Sequence, residues 1–351
     1  MEFVDGTLQR PYSGASIQRF AITWYKHLNV NRVNSWITWA VRHNVQQLSL
    51  YLIQKERLII TRSLFTCESL ISLKLQITPD VRLPNYISFP KLKSLEIEGI
   101  EFSNEYWNEK LFSNCPVLED FRMEHCTWFG MPNFCISTPA LKHFKIDNWD
   151  DKWLPHGEDD GLRGCTLKGH APNLETLYYN GSIAKEYVLT TFPLLVRAAV
   201  QFRFKPYVAT RKQRISHGAA ISQFLRALAN IKRLFVSDDT LQALSFPDDL
   251  LQKLPTFHNT NELIMFEEVT AHKALVALLK ATPNLKLLIF NKTVLSDDEE
   301  ENDAAGSDAV ADAANGENNH DSDDDVAGSD ADAVEAKTTM TMKMMIGHMI
   351  W

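Results

Sequence analysis

His125, Cys126 and Cys135 lie close together in the chain, and imidazole and thiolate are the usual ligands of zinc. Their spacing argues against a metal. No C-x-x-C pair stands beside them, and Cys126 falls at an inward-facing position of a repeat. Asp321, Asp323 and Asp325 imitate the start of a calcium loop, but Val326 occupies the place of the obligatory glycine and Asp332 that of the closing glutamate. There is no Walker loop, G-x-S-x-G, H-E-x-x-H or dinucleotide fingerprint. No metal, no cofactor and no enzymatic activity are therefore expected. The remaining reactive groups are Ser296, Ser307, Ser322 and Ser329, each followed by an acidic residue, the context an acidophilic kinase prefers. Phosphate would add up to about two charges at each. Function without a reacting constellation must lie on a surface, which means binding.

The elements that build such a surface are repeats. In the stretch Leu111 to Trp128, apolar residues stand at Leu118, Phe121 and Met123, then Cys126 and Trp128, which is the leucine-rich-repeat pattern L-x-x-L-x-L-x-x-N/C-x-L. Phe121 and Met123 are two apart, so a strand turns both into one core. Ser103 is placed to cap a short helix running to Phe112. One helix–strand unit cannot bury its own apolar face and needs stacked copies. The middle position of the pattern recurs at Phe20, Leu48, Leu73, Leu95, Phe121, Phe144, Leu177, Ala198, Leu234, Leu263 and Leu288. Successive copies are about 21 to 36 residues apart, averaging about 27, close to the usual leucine-rich period.

Proline supplies an independent signal. Pro90, Pro116, Pro139, Pro172, Pro193 and Pro283 each stand two residues before the first apolar position of a repeat. Lacking an N–H and disfavouring helix in the residue before it, each ends a connection where a strand begins. Between strands, Val33–Val41, Ala219–Ile231 and Ala271–Ala281 read as helices, the first with Trp36, Ile37, Ala40 and Val41 on one face. Two connections are long insertions: one around Trp149 and Trp153, rich in Gly, Asp and Trp and open to reading as a recognition element or as a solvated connection, the other a loop running from Arg203 to Arg214 before the helix at Ala219.

The formal charge of −8 hides a division. From Ser296 onward there are 16 Asp/Glu against 2 Lys, which leaves 34 Lys/Arg against 28 Asp/Glu before it. The body's surplus is too small and scattered for nucleic acid. The segment 296–351 is acidic and Ala/Gly-rich with a Met-rich end, so it is expected to be a disordered tail beyond a solenoid over 1–295. Five cysteines without C-x-x-C pairing read as buried thiols of a reducing compartment. No apolar run suggests a signal peptide or a membrane span, so no membrane partner is expected and the cytoplasm or nucleus is the expected location.

Several phrases resemble the plant F-box proteins with leucine-rich repeats of the FBD type: FVDGTLQR with IQRFAI, VNSWITWAVRHNVQQLSLYL, SLFTCESLISLKL and KLFSNCPVLEDFRMEHCTW. FHNTNELIMFEEVTAHKALVALLKATPNLKLLIF is similar to the segment that leads toward the FBD region. The resemblance implies a substrate-recognition part, in which an F-box grips the adaptor of a cullin ubiquitin ligase and the repeats hold the client. No L-P-x-x-V-L or W-x-x-L-W helix set precedes Phe3, and beyond Leu295 the acidic tail stands in place of an FBD domain. The repeat module carries over, and the chain as written is not expected to bind the cullin adaptor.

The expectation is thus an α/β leucine-rich-repeat solenoid, a right-handed horseshoe of about eleven irregular repeats with a parallel sheet on its concave face. It would bind an unidentified client protein as part of a ubiquitin-ligase substrate receptor. Two alternatives remain open: an adaptor-free scaffold or competitor, including a truncated gene product, and a binder of basic proteins working through the acidic tail. On the concave face, the residue between the second and third apolar positions points away from the core. Down the later repeats this column reads Tyr178, Ala199, Phe235, Ile264, Ile289, which predicts a continuous, exposed apolar strip for partner binding.

Overall fold

The computed structural model describes residues 17–25, 28–54, 58–84, 86–102, 111–148, 160–203, 209–246, 248–266, 268–291 and 341–345. Its strands are β1 (Arg19–Trp24), β2 (Gln47–Ile53), β3 (Ser72–Arg82), β4 (Ser94–Glu101), β5 (Asp120–Glu124), β6 (Asn133–Ser137), β7 (His143–Asp147), β8 (Thr166–His170), β9 (Thr176–Ser182), β10 (Glu186–Leu189), β11 (Arg197–Arg203), β12 (Arg233–Ser237), β13 (Glu262–Phe266), β14 (Leu287–Asn291) and β15 (Thr341–Met345). The α-helices are α1 (Val30–Arg42), α2 (Arg211–Ala227), α3 (Asp238–Ser245), α4 (Asp248–Leu251) and α5 (His272–Ala281). One sheet of twelve strands runs β1-β2-β3-β4-β5-β7-β9-β11-β12-β13-β14-β15, and β10-β8-β6 make a second.

The eleven strands from β1 to β14 in the large sheet are parallel, and they are the eleven repeats of the sequence. Their middle positions pair one after another without a slip, Phe20 with Leu48, Leu48 with Leu73, and on to Leu263 with Leu288. Register holds because a one-residue shift would turn every apolar side chain out of the core. Phe121 and Met123 are fully buried, each contributing about 1.5–3 kcal/mol of transfer free energy.

The prolines punctuate as expected, and the mechanism is a turn. In each case the leucine two residues on donates its N–H to the carbonyl three residues back: Leu92 to Phe89, Leu118 to Cys115, Leu141 to Thr138, Leu174 to Ala171, Leu195 to Phe192 and Leu285 to Thr282. Proline is the second residue of each turn, the position its fixed φ suits. Ile231 to Leu228 and Thr260 to Phe257 make the same turn without it.

The helices follow their caps. Asn29 opens α1 by accepting the N–H of Asn31, and Val33, Trp36, Ile37 and Ala40 bury one face. Helix α2 starts earlier than the expected Ala219 and ends at Ala227, before the expected Ile231. A reciprocal capping box makes the difference: Gln213 N–H donates to Thr210 Oγ1 at 3.3 Å, and Thr210 N–H to Gln213 Oε1 at 2.8 Å. Residues Arg211 to Arg214, read from the sequence as part of a loop, are therefore helical. At Phe112 the chain forms a short 3-10 turn over Leu111–Asn114; residues 103–110 of the helix expected there lie outside the described residues.

The second sheet and α2 lie against the core side of the large one. Tyr179 of β9, Tyr187 of β10, Phe202 of β11 and Phe224 of α2 meet as one aromatic group, with ring centroids 4.9 to 6.1 Å apart. At the far end, β15 runs antiparallel along β14. The Met-rich end was expected to be part of a disordered tail, yet Thr341–Met345 form this strand, since an open sheet edge offers unpaired N–H and C=O groups. The expected domain division and the remaining tail, including Ser296, Ser307, Ser322 and Ser329, lie outside the described residues.

Candidate functional site

The free face of the large sheet, turned away from the core, carries two rows of side chains. The first is the column foreseen from the sequence. Tyr178, Ala199, Phe235, Ile264 and Ile289 stand on β9, β11, β12, β13 and β14 as successive register partners, and they touch as one apolar cluster with Phe266. Their juxtaposition matches the reading; their exposure does not. Ala199, Phe235 and Ile264 are only 5, 8 and 6 % exposed, so the open strip is corrected to a small second core. The reason is local. Strands about 4.8 Å apart let large neighbours shield each other, and Phe266 stacks on Phe235 with centroids 5.8 Å apart. Arg197 lies 5.3 Å over the Phe235 ring and Lys145 5.2 Å over that of Tyr178.

Toward the N-terminus the same row is charged. Lys74 pairs with Glu96, and Arg122 is exposed. Lys145 is buried and bridges Glu124 at 3.0 Å and Asp147 at 3.4 Å. Just before the strands, Glu119 sits between Lys93 (3.4 Å) and Lys142 (2.8 Å). Hydrogen bonds from Lys142 and Lys93 hold its carboxyl below the usual range, and the same contact raises Lys142.

The second row was not foreseen. It is formed by the residue after the third apolar position in six successive repeats: Gln76, Glu98, Glu124, Asp147, Asn180 and Gln201, in register on β3, β4, β5, β7, β9 and β11. Reading that column down the repeats would have found it. Asn180 Nδ2 donates to Asp147 Oδ1 at 3.1 Å. Burial, then repulsion from Glu124, pushes the Glu98 carboxyl above its ordinary value despite a hydrogen bond from Gln76. Asn180 and Gln201 are 2 and 6 % exposed, and Asn180 Oδ1 and Gln201 Oε1 accept no hydrogen bond from the described residues.

The residues with zinc-ligand chemistry are dispersed. Cys126 is buried inside its repeat, its thiol donating to Glu124 O at 3.4 Å, while Cys135 lies on β6 of the second sheet. Among the described residues no group of His, Cys, Asp and Glu stands close enough to hold a metal, and no helix is long and apolar enough to cross a membrane. The calcium-like segment around Asp321 and the loop around Trp149 and Trp153 lie outside the described residues.

A family profile described as "FBD-associated F-box protein At5g56370, LRR repeats" matches residues 33–237, more than half of the chain. The chain belongs to this leucine-rich-repeat family. It is 27 % identical over 298 residues to the F-box/LRR-repeat protein At4g14103 of Arabidopsis thaliana, covering 83 % of this chain and 74 % of that one. To the F-box/LRR-repeat protein At4g14096 of the same plant it is 26 % identical, covering 83 % of this chain and 59 % of the relative. To the FBD-associated F-box protein At4g13985 it is 27 % identical, covering 80 % and 61 %. The matched stretch falls on the repeats from α1 to β12. The family is of the protein-interaction type, and the plant F-box resemblance drawn from phrases such as KLFSNCPVLEDFRMEHCTW is thereby established for the repeats.

Proposed function

We propose that this chain is the client-binding part of an F-box ubiquitin-ligase receptor, holding a protein partner on the free face of its large sheet, in the cytoplasm or nucleus. The observation that carries the reading is the free face itself. In-register rows of charged and amide side chains cross it, and they take no part in the main core. A rigid parallel sheet holds such side chains at fixed spacing, which suits recognition of a folded or extended polypeptide. Membership of the F-box repeat family supports the ligase context. The test is affinity purification from plant extract with the wild-type chain and with Lys74→Glu plus Arg122→Glu. Partners should be lost from the doubly reversed protein and kept by Lys212→Glu, a reversal on α2 away from the free face. Equal recovery with all three proteins would place docking elsewhere.

A further inference from the structure

Among the described strands of the large sheet, β15 is the one that no repeat supplies. The other eleven run parallel, whereas Thr341–Met345 run antiparallel to β14, with Thr341 opposite Asn291 and Met345 opposite Leu287. The edge that β15 occupies closes the end of the core. Leu288 on β14 is 5 % exposed, while Leu285 and Phe290 are half-buried. Such an edge presents a row of N–H and C=O groups that an extended segment can pair with.

The tether of β15 works against it. Between Asn291 and Thr341 lie 49 residues, with 16 Asp/Glu against Lys292 and Lys337. A flexible chain of that length spans about 35–40 Å on average, yet its two ends are register partners, about 5 Å apart. Joining the ends costs entropy. It also crowds like charges, which repel one another and favour an extended chain. That second cost depends on salt, since charges are felt over about 30 Å at 10 mM and about 3 Å at 1 M.

We propose that β15 is a releasable strap on the β14 edge, held against the self-repulsion of its acidic tether and let go when the tether gains charge. Ser296, Ser307, Ser322 and Ser329 lie in the tether, each followed by an acidic residue. Transfer of the γ-phosphoryl group of ATP to a serine Oγ, with ADP and a proton as the other products, adds up to about two charges at each. Release opens the β14 edge to strand addition by an extended segment of another chain. The device works at the eleventh repeat and needs no client on the free face.

The test follows hydrogen exchange of the Thr341–Met345 amides in the full chain by mass spectrometry, at about 10 mM and about 1 M sodium chloride. The amides of β12, inside the sheet, serve as internal reference and should stay protected throughout. At the higher salt, exchange of Thr341–Met345 should slow about tenfold. A chain with every Asp and Glu from 297 to 335 changed to Asn or Gln should exchange slowly at both salts. Ser296→Glu, Ser307→Glu, Ser322→Glu and Ser329→Glu in one chain add charge instead of removing it. They should quicken exchange at low salt and leave it unchanged at high salt, and they supply the comparison if the neutral chain aggregates. Exchange that quickens with salt would mean that cations of the body hold the tether. Exchange indifferent to salt and to the variants, or Thr341–Met345 amides unprotected at every salt, would mean that there is no such strap. Each of these results would overturn the proposal.

Discussion

Asp238 and Thr270 are tied together across neighbouring repeats by two hydrogen bonds: Thr270 Oγ1 donates to Asp238 Oδ2 at 2.6 Å, and the Thr270 N–H to Oδ1 at 2.9 Å. Ala271 N–H adds a third at 3.1 Å and Gln242 Nε2 a fourth at 2.8 Å. One carboxylate at the start of α3 thus fixes the approach to α5. Burial raises its pKa, but the bonds from Thr270, Gln242 and Ala271 outweigh that and hold it below the usual carboxylate range.

A depressed folded pKa means that the folded chain binds fewer protons than the unfolded one in the acid range. Stability from Asp238 is then fully present above an ordinary carboxylate pKa of about 4 and is lost as pH falls through the folded value. Asp238→Asn should cost about 1–3 kcal/mol at neutral pH. It should also flatten the acid limb of the stability–pH curve, measured by urea unfolding at several pH values. An acid limb as steep as that of the wild type would exclude this role.

The cysteines should be chemically quiet. Burial pushes the thiols of Cys115 and Cys165 up to about 12, so at neutral pH both stay protonated, and Cys67 and Cys126 are buried as well. Of the five, only Cys135 is partly exposed. Ellman's reagent on the native chain should report Cys135 alone, and all five after unfolding in urea. Rapid native reaction of Cys115 would contradict its burial.

The repeats were legible because their signal is redundant. Phe121 or Leu177 alone means little, but the same pattern at eleven middle positions, six of the repeats announced by proline, leaves one fold, and all eleven fall in register. What was missed carries weaker marks. Strands β6, β8 and β10 are short, and TLKGH and EYVL lack the repeat pattern. Helix α3 follows β12 directly, signalled by Ser237, which accepts the Thr240 N–H, and by Asp238 and Asp239 in its first turn. The start of α2 was legible in Thr210 and Gln213, and the loop-like composition around them outweighed it. In the apolar column, alternation fixes which way Phe235 points. It does not fix how deeply Arg197, Ile264 and Phe266 bury it, because that depends on three strands at once.

Two glycines in the same backbone region should respond differently to alanine. Gly161 has φ +87°, and a Cβ there would stand 2.5 Å from Trp128 C and 2.6 Å from Phe129 N. Gly130 has φ +71° with nothing within 4 Å of such an atom. Gly130→Ala should cost only the left-handed penalty, about 1–2 kcal/mol. Gly161→Ala must in addition move the backbone of Trp128, whose N–H donates to Asp160 O at 2.6 Å. It should therefore be the more damaging by a clear margin in thermal melts. Equal melting temperatures would mean that the segment around Gly161 yields freely.

Phe235 is where burial changes the experiment that would probe docking. Its ring meets Phe266, Ile264 and Ala199 and lies under the Arg197 guanidinium, with 8 % of the residue exposed. Removing a core phenylalanine costs about 3–5 kcal/mol, and Phe235→Asp adds the desolvation of a carboxylate. The substitution should lower the melting temperature severely, so a loss of binding would follow from unfolding and say nothing about contact. Val276→Asp is the fitting control, since Val276 on α5 is 50 % exposed and surface changes usually stay within about 0.5 kcal/mol. If Phe235→Asp melts like Val276→Asp, the cluster opens to solvent after all and returns as a docking strip. If it melts far lower, partners must be sought on the charged part of the free face, where Lys74, Arg122 and Glu98 can be changed without touching a core.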